Sequence, residues 1–371
     1  MKEQKVISEQ VYDAFREIVE DKNLSRILLI CGRHVAKTPA GQCFVSDKHV
    51  AAVFQEFEPN PSYESVVRAV SCFRENHCDA VMAVGGGSAM DVGKCVKAYA
   101  GMDSTVNFLQ QTIVPNDIPY FAMPTTAGTG SEATSFAVIY YEGEKQSVGD
   151  PSCIPDVVFL ESTILATLPS DQKKATMLDA ICHCVESFWA VNATEESREY
   201  AGEALRTILE HYKSYLTGDA KAAKQMLSAS YCAGKAINIS KTTAAHAMSY
   251  KLTKLYGIPH GQAAALNLVF VWEQTLIQAE REENKALLGC LERLAGLWGC
   301  ASAKEAVRSY RELLKELDLW IKVPVTKEDL KTLTESVNVE RLKNHPVDLS
   351  QDTIKEIYIM LSEGRIWDES Q

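Results

Sequence analysis

Basic residues are in short supply in this 371-residue chain: 38 Lys and Arg stand against 49 Asp and Glu, for a formal net charge of -11. That balance argues against a nucleic-acid binder, which usually shows a basic face, but leaves room for a local basic pocket. Glycine and proline are sparse, 20 and 12 residues, which excludes collagen-like and low-complexity architecture. No uncharged apolar run reaches 18 residues, so nothing reads as a membrane span. The opening residues, MKEQKVISEQ, lack the apolar core of a secretory signal. No CxxC pair occurs among the 11 cysteines. Their odd number and scatter read as small buried apolar side chains in a reducing cytoplasm. With only eight histidines, any cluster of them carries information.

Against these absences stands a chain long enough for two domains with sizeable cores. Residues 9–22, 62–76 and 88–101 read as helices, and 26–31, 51–57, 79–84 and 119–123 as strands. Strands separated by helices point to βαβ units and a mainly parallel sheet. Residues 136–148 read as a hairpin, expected as an antiparallel edge. From about residue 162 Leu, Ala, Glu and Lys recur at helical spacing, which predicts roughly eight helices, with short ones joined by a loop over 323–347. The expected division is an α/β domain over 1–165 and an all-α domain over 166–371.

Two loops carry chemistry. In DAVMAVGGGSAMDVGK (79–94) a buried strand runs into Gly85, Gly86, Gly87 and Ser88, and a helix follows. Such a turn either lets backbone N–H groups meet a phosphate at the helix start or is simply a tight connection. The second loop, MPTTAGTGSEAT (123–134), offers the hydroxyls of Thr125, Thr126, Thr129 and Ser131 to a pyrophosphate or ribose. Ser131 equally suits a helix N-cap. Two such loops at strand ends favour the ligand, because open α/β sheets bind at the carboxyl ends of their strands.

The third feature is TMLDAICHCVESFW (176–189), where Asp179 and His183 lie four apart on one helix face. The pair is either a surface or capping pair, or half of a metal site. His246 falls in a helical run, and His260 follows a proline fourteen residues later. One carboxylate and three imidazoles suit Fe(II) or Zn(II), and Mg or Ca less well.

Together these segments resemble the iron-containing (group III) alcohol dehydrogenase family. GGGSAMDVGK matches its GGGS-x-x-D-x-x-K turn, PTTAGTGSE its second nucleotide loop, and FEPNP (57–61) a further segment. Asp179, His183, His246 and His260 match its four metal ligands in order and spacing. The resemblance implies a dehydroquinate synthase-like fold, with a nucleotide-binding α/β domain followed by a helical metal domain. It implies that Gly86, Gly87 and Ser88 cradle a pyrophosphate, with Asp91 at the helix start, and that Thr125, Thr126 and Thr129 line the nicotinamide side. It further implies a cytoplasmic homodimer or higher homo-oligomer, with Fe(II) or Zn(II) and NAD or NADP, acting on a small aldehyde or alcohol.

Two departures refine these expectations. Many members carry a second His four residues after the third ligand, a proton relay; here Tyr250 stands there. Many NAD-preferring members end the first strand with an Asp that meets the adenosine ribose; here the run LLICGRH places Gly32 there, with Arg33 next, which removes repulsion against a 2′-phosphate. The stretch KTTAAHAMSYKLTKLYGIPHG (241–261) is most similar to the phosphonoacetaldehyde reductase branch. Lys241 and Lys251 are therefore expected as partners of a phosphonate, the alternative being solvated helix lysines. The competing functions are a general short-chain alcohol or lactaldehyde dehydrogenase, a dehydroquinate-synthase-like sugar-phosphate enzyme, and a non-catalytic nucleotide-binding regulator.

Overall fold

The computed structural model describes residues 3–337 and 339–364. The first half alternates strand and helix as far as β5: β1 (Lys5–Ile7), α1 (Val11–Asp21), β2 (Ile27–Cys31), α2 (Pro39–Val45), β3 (Val50–Phe54), α3 (Tyr63–Glu75), β4 (Ala80–Gly85), α4 (Gly87–Tyr99), β5 (Tyr120–Pro124), β6 (Phe136–Tyr141), β7 (Glu144–Gly149) and β8 (Val157–Phe159). Six of these strands form one sheet in the order β1-β8-β5-β4-β2-β3, every pairing parallel. Every residue of β2, β4 and β5 is buried. Helices on both faces require this of central parallel strands, which explains their unbroken apolar runs.

The hairpin is present, with Phe136 opposite Gly149, but it forms its own two-stranded sheet instead of the expected antiparallel edge. The edges of the main sheet are β3 and β1, and β1 is recruited from the first residues of the chain.

The second half is helical: α5 (Ser170–Trp189), α6 (Glu195–Leu216), α7 (Ala220–Ser240), α8 (Ala244–Tyr256), α9 (His260–Arg281), α10 (Lys285–Leu297), α11 (Ala303–Glu316), α12 (Lys327–Glu335), α13 (Val339–Leu342) and α14 (Gln351–Glu363). That is ten helices among the described residues, where roughly eight were expected; the one-turn α13 falls in the anticipated 323–347 stretch.

The chain separates into two compact units. One holds the chain through Pro169 together with Thr217–Gly234, and the other holds Ser170–Leu216 and everything from Lys235. In the first unit Gly130 and Gly234 meet backbone to backbone. A Cβ on Gly234 would lie 2.2 Å from the Gly130 carbonyl oxygen, so neither position has room for a side chain. All eleven cysteines are free thiols, five of them buried and Cys43 exposed. No helix among the described residues is long and apolar enough to cross a membrane.

Candidate metal centre and nucleotide loops

In the first unit, neighbouring strands deliver the two glycine-rich loops side by side. Gly85 pairs with Pro124 at the carboxyl ends of β4 and β5, and the Thr125 amide donates to the Gly85 carbonyl at 2.9 Å. Cβ atoms on Gly86 and Gly87 would sit 3.5 and 3.3 Å from the methyls of Thr126 and Thr129. The loops therefore touch through the faces that glycine leaves bare. Gly86 caps α4 without any side-chain acceptor, leaving the helix's first N–H groups for an anion. The Thr126 hydroxyl is buried without a hydrogen-bond partner. A phosphate-bearing nucleotide fits both observations, since it supplies acceptors where the protein offers only donors.

Gly32 follows β2, the strand next to β4, at the same end of the sheet. Nothing lies within 4 Å of a Cβ built on it, and Arg33 beside it is exposed. Ser88 accepts from the Asn60 amide at 3.2 Å.

Asp91 takes part in an internal network. Ser131 Oγ donates to it at 3.3 Å, and the fully buried Lys94 ammonium donates to Ser131 Oγ, Thr134 Oγ1 and the Phe136 carbonyl at 2.7–2.8 Å. Burial pushes the Asp91 carboxyl up, opposed by Lys94, and pushes the Lys94 ammonium down, opposed by Asp91. These contacts fasten α4 to the second loop.

In the second unit, three helices aim side chains at one oxygen. Asp179 Oδ1 lies 3.3 Å from His246 Nε2, 3.8 Å from His183 Nε2 and 4.0 Å from His260 Nε2. Asp179, His183 and His246 are buried, and His260 is partly exposed. Asp179, His246 and His260 each bring a donor atom to within 4.8 Å of the others; His183 stands beside this group on the next turn of α5, its ring stacked on that of His246. Metal bonds of about 2.0–2.2 Å in a tetrahedral site imply ligand–ligand edges of roughly 3.3–3.6 Å. The observed separations run from the lower end of that range to a few tenths of an ångström above it, and two of the three exceed hydrogen-bond length, so these residues fit a divalent metal. Burial alone would raise the Asp179 carboxyl, but the surrounding imidazoles, His183 first, hold it well below the usual carboxylate range.

The supporting residues explain why the imidazoles face inward. Glu186, one turn beyond His183 on the same stripe of α5, is wholly buried. Its Oε1 accepts from the Thr243 amide at 3.0 Å, the Thr243 hydroxyl at 2.6 Å and the Ala245 amide at 3.1 Å, so a carboxylate caps the N-terminus of α8. Its other oxygen bonds His246 Nδ1. That bond keeps a proton on Nδ1, so Nε2, the nitrogen turned toward Asp179, is the one whose lone pair a metal would take. Burial would push His246 down, but the Glu186 carboxylate and Asp179 outweigh it and raise the imidazole to about 9.

His260 has a weaker counterpart. Ser249 Oγ spends its proton on the His246 carbonyl at 2.8 Å and accepts from His260 Nδ1 at 3.4 Å. Gly261 allows α9 to start here at all. A Cβ there would lie 2.1 Å from the Ala175 carbonyl oxygen and 2.8 Å from Asp179 Cβ.

Tyr250, one turn after His246, stacks its ring on His260 with centroids 5.3 Å apart. Its hydroxyl accepts from Arg341 Nη1, and the guanidinium carbon lies 4.9 Å from the ring centroid. Lys241 is exposed just past the end of α7, where its ammonium donates to the Asn238 carbonyl at 2.9 Å. Lys251 is half-buried on α8, next to Tyr250. Glu186, Ser249, Gly261 and Arg341 escaped the sequence reading. Only Glu186 left a signal there, through its seven-residue distance from Asp179.

Comparison with known proteins agrees with both halves. Residues 3–162 match the family model for iron-containing alcohol dehydrogenase, and residues 173–361 match the model for the C-terminal part of that family. The NAD-dependent methanol dehydrogenase of Bacillus methanolicus is 30% identical over 77% of this chain and 77% of its own. The NADPH-dependent butanol dehydrogenase of Clostridium saccharobutylicum is 28% identical over 81% of each. The structure of sulfoacetaldehyde reductase from Bifidobacterium kashiwanohense in complex with NAD+ superposes with a TM-score of 0.89, at 25% identity, covering 98% of both chains. With the family matched across both halves of the chain and the carboxylate and imidazoles gathered at one point, the chain belongs to the iron-containing alcohol dehydrogenases and is an oxidoreductase of alcohols and aldehydes.

Proposed function

We propose that this enzyme reduces a short aldehyde carrying an anionic group, with phosphonoacetaldehyde to 2-hydroxyethylphosphonate as the leading case. The observation that carries the metal-assisted chemistry is the convergence of three imidazoles on Asp179 Oδ1. When bound, the metal supplies Lewis acidity toward a carbonyl oxygen and the nicotinamide supplies the hydride.

The protein's share is positional. Asp179, His183, His246 and His260 hold the metal, while Glu186 and Ser249 fix the two imidazole tautomers. Gly86, Gly87 and Ser88 with the start of α4 bind the pyrophosphate, and Thr125, Thr126 and Thr129 line the nicotinamide side. Gly32 and Arg33 admit a 2′-phosphate, so NADPH serves alongside NADH. Arg341 has no acceptor, so Tyr250 Oη must accept from it, and the Tyr250 phenol, stacked on His260, is the group that relays a proton to the nascent alcohol.

Support for an anionic substrate comes from the sulfoacetaldehyde reductase likeness, whose substrate name denotes a two-carbon aldehyde bearing a sulfonate. The second reading, a general short-chain alcohol dehydrogenase, is favoured by the methanol and butanol dehydrogenase relatives. Steady-state oxidation of NADH and NADPH against phosphonoacetaldehyde, sulfoacetaldehyde and propionaldehyde separates the two. A kcat/KM for the anionic aldehydes no greater than that for propionaldehyde returns the enzyme to the second reading.

A further inference from the structure

We infer that Arg341 is the residue that reads the substrate's anionic end, a role expected from sequence of Lys241 and Lys251. The inference rests on the anionic-aldehyde reading above and assigns it a side chain. From the ligand cluster outward, His260 stacks on Tyr250, and Tyr250 receives a hydrogen bond from Arg341. The guanidinium thus lies one side chain beyond the metal ligands. In a two-carbon aldehyde the anion is attached to the carbon next to the carbonyl, so its reader must stand in that next layer.

Three further features fit. Arg341 is half-buried, where a charge is screened less than at the open surface. Its planar fork matches the oxygens of a phosphonate or sulfonate in pairs, which an ammonium does not. Its segment is also pinned. Three residues on, the Asn344 side-chain amide donates to the carbonyls of Ser240 at 2.8 Å and Thr242 at 3.1 Å, and its carbonyl oxygens accept from the Val191 and Asn192 amides. The cation is therefore held in place before substrate arrives, which lowers the ordering cost of binding. Lys241, by contrast, is exposed and donates to the end of its own helix.

The test compares wild type, Arg341→Met, Arg341→Lys and Tyr250→Phe as metal-loaded enzymes. The readout is the ratio of kcat/KM for phosphonoacetaldehyde to that for propionaldehyde, with metal content and melting temperature measured on each protein. Arg341→Met should lower the ratio roughly 10- to 150-fold, mainly through KM, the size of one charge-assisted bond. Arg341→Lys should recover part of the loss, because charge returns without the fork. Tyr250→Phe should keep most of the ratio, because the guanidinium remains. Binding of the product 2-hydroxyethylphosphonate, read by thermal shift, should weaken in step.

A wild-type preference for the anion that survives in Arg341→Met overturns the assignment while leaving the substrate reading intact. No preference in wild type overturns the substrate reading, and the assignment with it. Equal loss on both aldehydes, or loss of metal, means that Arg341 merely props Tyr250 and also overturns the assignment.

Discussion

Replacing Glu186 by Gln tests how much of the metal site's strength lies outside its ligands. The substitution preserves shape and removes one charge. In the native arrangement the carboxylate accepts every bond: three backbone amides and a hydroxyl at the start of α8 on Oε1, and His246 Nδ1 on Oε2. A glutamine has one acceptor oxygen and one NH2 group. If the oxygen stays with Thr243 and Ala245, the NH2 faces His246 Nδ1. The imidazole must then carry its proton on Nε2, pointing it at Asp179 Oδ1 3.3 Å away and leaving no lone pair for a metal. If the amide is reversed, the NH2 meets four donors and forfeits bonds worth about 1.5–3 kcal/mol each. The tautomer change is the lesser loss. A disrupted orienting partner of this kind costs roughly 10- to 100-fold in metal affinity, or about 1.4–2.7 kcal/mol. The assay is an anaerobic chelator-competition titration of Fe(II) and of Zn(II), with circular dichroism to show that the helices persist. An affinity within about threefold of wild type, in a folded variant, would refute the claim that Glu186 sets the His246 tautomer.

Other outcomes follow from the same geometry. Asp179→Ala removes the oxygen on which all three imidazoles converge, and should abolish most metal binding and lower kcat by orders of magnitude with the fold retained; stoichiometric metal in the purified variant would contradict this. Gly32→Asp meets no steric obstacle, and its carboxylate facing a 2′-phosphate should lower the NADPH-to-NADH ratio of kcat/KM by roughly 10- to 100-fold, a repulsion of about 1.4–2.7 kcal/mol. An unchanged ratio would mean that the ribose lies elsewhere. Glu132 is wholly buried, neither carboxyl oxygen has a hydrogen-bond partner, and burial pushes its pKa up to about 7. The unfolded state ionises from about pH 4.5 and the folded state only near 7, so native stability at this group is present below 4.5 and lost as pH rises through 7. Glu132→Gln should therefore gain up to about 3 kcal/mol relative to wild type between pH 4.5 and 8 in urea unfolding, and a pH-independent difference would refute the buried-carboxyl account.

The sequence exposed those features whose cause is local or repeated. Strands β2, β4 and β5 announce themselves as unbroken apolar runs because helices must cover both faces. Asp179 and His183 share a helix face by spacing alone. Features that depend on distant pairing stayed hidden. At three residues each, β1 and β8 are too short to show a period, and they exist because they pair with each other. The hairpin's turn was readable, but its separation from the main sheet depends on what the neighbouring edge accepts. Glu186 reads as an ordinary helical acid until α8 presents its N-terminus to it. Arg341 sits in a one-turn helix without periodicity, and only the fold brings it to Tyr250.

The distribution of the four metal-facing residues along the chain has a consequence for the order of assembly. Asp179 and His183 belong to one helix, so their pairing needs only that helix to form. His246 and His260 come 67 and 81 residues after Asp179, and joining them requires a loop closure whose entropy rises with the logarithm of its length. During synthesis the first pair emerges well before the second. With these four residues as the proposed ligands, a growing chain would hold only a two-donor, exchangeable grip on metal while α8 and α9 are still being made. Docking those helices would then turn this grip into a four-donor one and link metal retention to completion of the fold. Chains halted before residue 260 would release their metal easily, whereas finished ones would keep it.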